Sequence, residues 1–200
     1  MKLSKHQKHI IYGTLWGDGW LQATGERNSR LRLEHSVKQV AYVGWLFKEL
    51  SNIFQSAPTA MTRQHPLSHR RYQYLRLQSH SSPVFGGLRR IFYNARGQKI
   101  VPEEAARYLP SSLTLAVWYM DDGYYDRRDR SAHIYVPAYT SSDLKRLVSA
   151  LDERFLLVPK SYCRPDRRGC QLNFTGPARE RLLALVRSHL IPSMRYKAPL

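Results

Sequence analysis

The sequence predicts an α+β chain of two pseudo-symmetric lobes, each running αββαββα around an antiparallel sheet. Three observations carry this. An apolar stretch ending in aspartate and glycine occurs twice, half a chain apart, as IIYGTLWGDGWL at residues 10–21 and LTLAVWYMDDGYYD at residues 113–126. Each is followed by the same succession of periods: two short alternating runs, a helical run, two more alternating runs and a last helical run. The alternating runs carry Arg, Tyr, Gln, Asn and Thr on one face and Leu or Phe on the other, the pattern of a sheet covered by helices on one side only.

In the first half, Ser4 caps a helix over residues 5–18 in which Gly13 and Gly17 lie four apart on one face. Glycines so spaced let a second helix approach closely. Gly19 stops this helix. A short strand over 20–24 precedes a strand over 30–35, in which Leu31 and Leu33 alternate with Arg30 and Arg32. Residues 37–54 read as an amphipathic helix with Val40, Val43, Leu46, Phe47, Leu50 and Phe54 inward. Strands follow over 59–64 and 71–79, the second with Gln73, Leu75 and Leu77 on one face and Tyr72, Tyr74, Arg76 and Gln78 on the other. A helix over 82–94 completes the lobe.

The second half repeats this order. Ser111 caps a helix through Asp122, ended by Gly123, with Ala116 and Val117 on its packing face. A hairpin joins strands at 124–126 and 132–136, a helix spans 142–155, and a second hairpin joins 159–164 to 171–175. A helix over 177–189 leads into LIPSMRYKAP. The boundaries are therefore a lobe over 1–95, a linker over 96–110 and a lobe over 111–200.

The formal charge of +17 and pI near 10.2 point to a polyanionic partner. Arg outnumbers Lys more than twofold, and its planar fork suits phosphates and bases. The free sheet faces supply the side chains that contact both: Arg30, Arg32, Tyr72, Tyr74, Arg76 and Gln78 in the first lobe, and His133, Tyr135, Arg164, Arg168, Gln171 and Asn173 in the second. His35, His80 and His133 have no metal-ligand spacing and are expected on the nucleic-acid-facing or outer surface. No apolar run nears the roughly 20 residues of a membrane helix, and the basic N-terminus leads straight into the first motif, so neither a membrane partner nor a secretion signal is expected. The expected location is cytoplasmic (bacterial, nucleoid-associated) or organellar. Cys163 and Cys170 flank a turn and are expected as two free thiols.

An aspartate at the negative end of a helix is unfavourable unless a cation accompanies it. The two stretches resemble the signature helices of the LAGLIDADG homing endonucleases, and two copies in one chain are similar to the single-chain, pseudo-twofold type. The resemblance implies that the helices pack in parallel at the lobe interface below a DNA-binding saddle. It further implies that Asp18 and Asp122, with the preceding Gly17 and Asp121, hold two or more Mg²⁺ ions shared between lobes. QKIVP and LIPSMRYKAP resemble the segments that supply active-site lysines, which map to Lys99 and Lys197 at comparable separations beyond the aspartates.

The chain departs from the pattern in places. Trp16 and Met120 stand where the signature has its first Asp, and Val117 and Asp121 replace small residues. Either the helices approach less tightly there or Asp121 points to a pocket; its side chain is read as a structural or supporting group. The implied function is site-specific double-strand DNA cleavage across the minor groove by a monomer encoded in an intron or intein-like element. The alternatives are an RNA-splicing maturase, with intron RNA as partner, and a non-catalytic DNA-binding regulator; the intact acidic pair speaks against the last.

Overall fold

The structure, a computed structural model, describes residues 1–64, 69–166 and 169–199. It contains two compact units, Met1–Gln7 with Asp18–Arg90, and Lys8–Gly17 with Ile91–Leu200. Each holds one four-stranded antiparallel sheet with the same strand order, β1-β2-β4-β3 in the first and β5-β6-β8-β7 in the second. The strands are β1 (Trp20–Ala23), β2 (Ser29–Ser36), β3 (Thr59–Gln64), β4 (Arg71–Gln78), β5 (Gly123–Asp126), β6 (Ser131–Val136), β7 (Lys160–Cys163) and β8 (Cys170–Phe174). The helices are α1 (Lys5–Trp16), α2 (Val40–Glu49), α3 (Pro83–Phe92), α4 (Ser112–Asp122), α5 (Ser141–Phe155) and α6 (Gly176–Arg187). No helix among the described residues is long and apolar enough to cross a membrane.

In the first unit, alternation on β2 and β4 buries Leu31, Leu33, His35 and Leu77 with Tyr42, Val43 and Leu46 of α2. Ser4 starts α1 through a reciprocal pair: its Oγ accepts from the Gln7 amide at 3.1 Å, and Gln7 Oε1 accepts from the Ser4 amide at 3.1 Å. The helix expected over 37–54 is shorter and differently phased. Val37–Gln39 form a 3-10 turn capped by Ser36, and the α-helix ends at Glu49. The segment beyond runs along the end of β4, where the Gln55 amide donates to the Gln78 carbonyl at 2.9 Å and His80 donates to Ile53 at 3.0 Å. Backbone pairing with the sheet thus replaces the last helical turns. Val40, expected inward, is 61% exposed, and Tyr42 takes the inward place.

In the second unit α1 and α4 run in parallel. The His9 carbonyl accepts from Thr114 Oγ1 at 3.0 Å, Gly13 faces Val117, and Gly17 faces Asp121. A Cβ on Gly13 would stand 2.5 Å from Val117 Cβ and 2.7 Å from the Thr114 carbonyl oxygen; one on Gly17 would stand 2.6 Å from Asp121 Cβ. The approach is therefore tight despite Val117 and Asp121, because both gaps are on α1. Ala116 and Val117 are fully buried. Trp16 anchors the pair, with ring centroids 5.5 Å from Trp118 and 5.4 Å from Phe92 and its indole N–H donating to the Tyr108 carbonyl at 2.8 Å. Ser111 caps α4 as expected, accepting from the Thr114 amide, and Thr140 caps α5.

The expectation of two free thiols is corrected. Cys163 and Cys170 face each other across β7 and β8 and form a disulfide with Cα atoms 4.0 Å apart. Direct cross-strand partners have their Cβ atoms adjacent, so the register itself brings the sulfurs together.

Substituting Gly13→Ala is expected to destabilise the chain by about 1–3 kcal/mol, the cost of forcing a methyl into a closed packing gap. Urea unfolding measures it; an unchanged midpoint would contradict the tight helix pairing.

Candidate active site and nucleic-acid interface

The ends of α1 and α4 explain how aspartates come to sit at helix C-termini. The Gly17 carbonyl accepts from Lys99 Nζ at 2.5 Å. On α4, Lys197 Nζ donates to the Met120 carbonyl at 2.6 Å and the Asp121 carbonyl at 3.3 Å. Each lysine thus caps carbonyls that lack an intrahelical partner and offsets the negative end of the helix. Lys197 is buried at the end of a 3-10 turn, Pro192–Lys197, whose last carbonyl accepts from Tyr119 Oη at 2.8 Å. Lys99 follows α3, in a turn where Asn94 Oδ1 accepts from the Arg96 and Gln98 amides at 3.0 Å.

Asp18 directly follows Gly17 in the chain. Its carboxylate is 45% exposed and lies 3.5 Å from Nδ1 of His35. This corrects the expectation of a surface histidine. His35 shares the inward parity of Leu31 and Leu33 on β2, its side chain is 1% exposed, and its ring meets Tyr42 edge-on at 5.0 Å. Asp122 is half-buried. It is among the charges that act on Tyr139, whose phenol is held well above its ordinary range by burial first, then by Asp143 and Asp122. Tyr139 therefore stays protonated at neutral pH. Asp121 rests against Gly17 within the helix pair.

Each sheet leaves one face uncovered. In the first, register aligns Arg32 with Gln78, Glu34 with Arg76, and Arg63 with Tyr72. Arg30, Arg32, Tyr72, Tyr74, Arg76 and Gln78 all fall on this face, as expected. Arg32 Nε donates to Gln78 Oε1 at 2.8 Å, and its guanidinium lies 5.4 Å from the Trp20 ring centroid. In the second sheet, register brings together Tyr124, His133 and Asn173, and then Tyr135, Gln171 and Tyr162. His133 stacks on Tyr124, bonds Ser131 Oγ at 2.8 Å and meets the Gln171 amide. Burial lowers its pKa, with Asp126 and Asp129 opposing, so the ring is neutral at pH 7. Arg164 is exposed beyond β7, 2.9 Å from Asp166; Arg168 lies outside the described residues.

Three polar atoms on these faces, Gln22 Oε1, Arg30 Nε and Asn173 Oδ1, are buried without a hydrogen-bond partner among the described residues. Buried polar groups seldom go unpaired, and protein, ligand or ordered water satisfies them. Sequence reading missed Trp20, Glu34, Arg63, Tyr124 and Tyr162 on the same faces. Strand parity alone identifies Glu34, which shares the face of Arg30 and Arg32.

Replacing Lys197 by Met leaves two helix-end carbonyls without their buried donor and is expected to destabilise the fold by about 1–3 kcal/mol. The half-buried Lys99→Met should cost less. Urea unfolding in chelator checks the ranking; equal midpoints for wild type and both variants would show that the lysines do not cap the helices.

A model of the LAGLIDADG DNA endonuclease family matches residues 8–169. A protein named RecA from Mycolicibacterium fallax is 30% identical over 98% of this chain, and the chain spans 46% of that protein. A probable intron-encoded endonuclease 1 of Wickerhamomyces canadensis is 24% identical over 98% of the chain and 84% of its own length. The fold matches that of the homing endonuclease I-WcaI, solved bound to its DNA recognition sequence, with a TM-score of 0.87 and 22% identity over 100% of this chain and 88% of the other. With a family model spanning both signature helices, the chain belongs to the LAGLIDADG DNA endonuclease family.

Proposed function

We propose that this chain is a site-specific endonuclease that hydrolyses both strands of a DNA duplex across the minor groove, acting as a monomer with Mg²⁺. The observation that carries the reading is the pairing of the signature helices, with aspartates at C-termini whose carbonyls already meet cationic side chains. Two lobes, 1–95 and 111–200, joined by the linker 96–110, supply one half-site each, so a single chain suffices.

The donor set suits the metal. Asp18 and Asp122 would offer carboxylates, and Gly17 and Asp121 the second lone pair of carbonyls whose first already accepts from a lysine, all hard oxygen ligands of the kind that hold Mg²⁺. Mg²⁺ held by these residues would supply Lewis-acid activation of water and stabilisation of the leaving oxygen. The protein's own groups do the rest. Lys99 and Lys197 stand at the same carbonyls and supply positive charge toward the phosphate. Arg30, Arg32, Tyr72, Tyr74, Arg76 and Gln78 in one sheet, and His133, Tyr135, Gln171 and Asn173 in the other, together with Arg164 and Arg168, hold the duplex and read its major-groove edges. Because the chain aligns with about half of a relative named for another protein, we place its gene within a host gene, as an intron or intein-like element, in a bacterial cytoplasm or an organelle.

The test is cleavage of a duplex library with Mg²⁺, followed by sequencing of the cut ends. Asp18→Asn and Asp122→Asn should each reduce double-strand cleavage by at least about a hundredfold, and chelator should stop it. Undiminished cleavage in either variant, or activity in chelator, would overturn the assignment. Binding to structured intron RNA with no cut duplex would point to splicing instead. Light scattering of a stable dimer would contradict the monomer.

A further inference from the structure

On the strands of the first sheet, among the described residues, Glu34 is the only acidic side chain of the open face. A carboxylate on a surface that takes up a polyanion works against binding through like-charge repulsion. Its contacts explain its presence. Glu34 accepts from Arg76 Nε at 2.7 Å and from Arg63 Nη2 at 3.1 Å. Arg76 Nη2 also donates to Tyr74 Oη at 3.2 Å. The two guanidinium carbons lie 5.1 and 5.7 Å from the Tyr74 ring centroid. Glu34 and Arg76 are about three-quarters buried, with 22% and 23% side-chain exposure, while Arg63 is 66% exposed.

We infer that Glu34 is a positioning residue for sequence specificity: it fixes Arg76 and Arg63 for base edges and withholds them from indiscriminate phosphate contact. This rests on the DNA-binding reading above. A guanidinium carries five N–H donors in a rigid fork. Glu34 occupies the Nε side of Arg76 and Tyr74 takes one N–H of Nη2, which leaves the other N–H of Nη2 and those of Nη1, at the terminal edge, for the O6 and N7 acceptors of guanine. An untethered arginine would neutralise any phosphate within reach, adding affinity without sequence information. The device belongs to one half-site only. Arg32 pairs with Trp20 as His133 pairs with Tyr124, so Tyr135 occupies the place of Glu34 in the second sheet.

The experiment uses the full chain, wild type against Glu34→Gln, Arg76→Gln and the double variant. Glu34→Gln keeps the shape and an acceptor oxygen and removes the charge. Binding to a random-sequence duplex is measured across salt concentrations, and preferred sites are selected from a randomised duplex library. Glu34→Gln should bind the random duplex about five- to tenfold tighter, with a salt slope steeper by about one, the signature of one added phosphate contact. Its selected sites should lose preference at one or two adjacent positions. In the Arg76→Gln background most of the gain in random-duplex affinity should vanish. Unchanged random-duplex affinity, slope and selected sequence would overturn the inference, as would an equal loss of affinity for selected and random duplex. Loss of a cytosine preference at unchanged random affinity would mean that Glu34 reads a base itself, which also overturns it. A wild-type chain that binds no duplex would remove the DNA-binding reading, an outcome distinct from all of these.

Discussion

The absence of two side chains on α1 is the constraint on which the rest depends. Gly13 and Gly17 let the backbone of α1 approach α4 until Val117 and Asp121 fill the space that Cβ atoms would need. Glycine in a helix interior costs about 1 kcal/mol relative to alanine, and here the return is dense packing along the whole pair. Trp16 can then pack at a tilt against Trp118, and both helices end at a level where Lys99 and Lys197 reach their last carbonyls. The chemistry of the site inherits its geometry from this packing.

Electrostatics follows the same logic at two scales. Locally, a negative helix end and an aspartate are made compatible by an ammonium group, buried in the case of Lys197. Over the surface of a chain with a net charge of +17, the strands carry outward side chains that are polar and partly prepaired. Arg32 with Gln78 and Arg76 with Glu34 are held before any ligand arrives. Side chains already ordered lose less entropy on binding.

Much of this was legible in the sequence because short-range rules governed it. Hydroxyl caps at Ser4 and Ser111, alternation on β2 and β4, and the duplicated apolar stretch each act over a few residues and gave the right elements. Where reading failed, something longer-ranged decided. Residues 50–55 left the helix because β4 offered them backbone partners. The cysteines joined because strand register set them opposite one another. His35 is a different case: it shares the inward parity of Leu31 and Leu33 on β2, a short-range rule that already points to burial rather than to a surface histidine. The site lysines were placed by motif likeness, and their partners, the carbonyls of Gly17 and Met120, are a tertiary feature that no spacing displays.

The membership of α1 has a consequence for how the chain comes into being. From Lys8 onward this helix is part of the second compact unit, although it is translated well before the other segments of that unit, which begin at Ile91. Its apolar residues, Ile10, Ile11, Leu15 and Trp16, are fully or almost fully buried in the finished protein. Trp118 and Leu115 are made about a hundred residues later, roughly 5–20 s at typical elongation rates. Contacts of such sequence separation also form slowly. Completion of the second unit thus joins residues 8–17 to residues 91–200 across the whole of the intervening unit, and residues 91–200 translated alone would lack an interior piece of their own core.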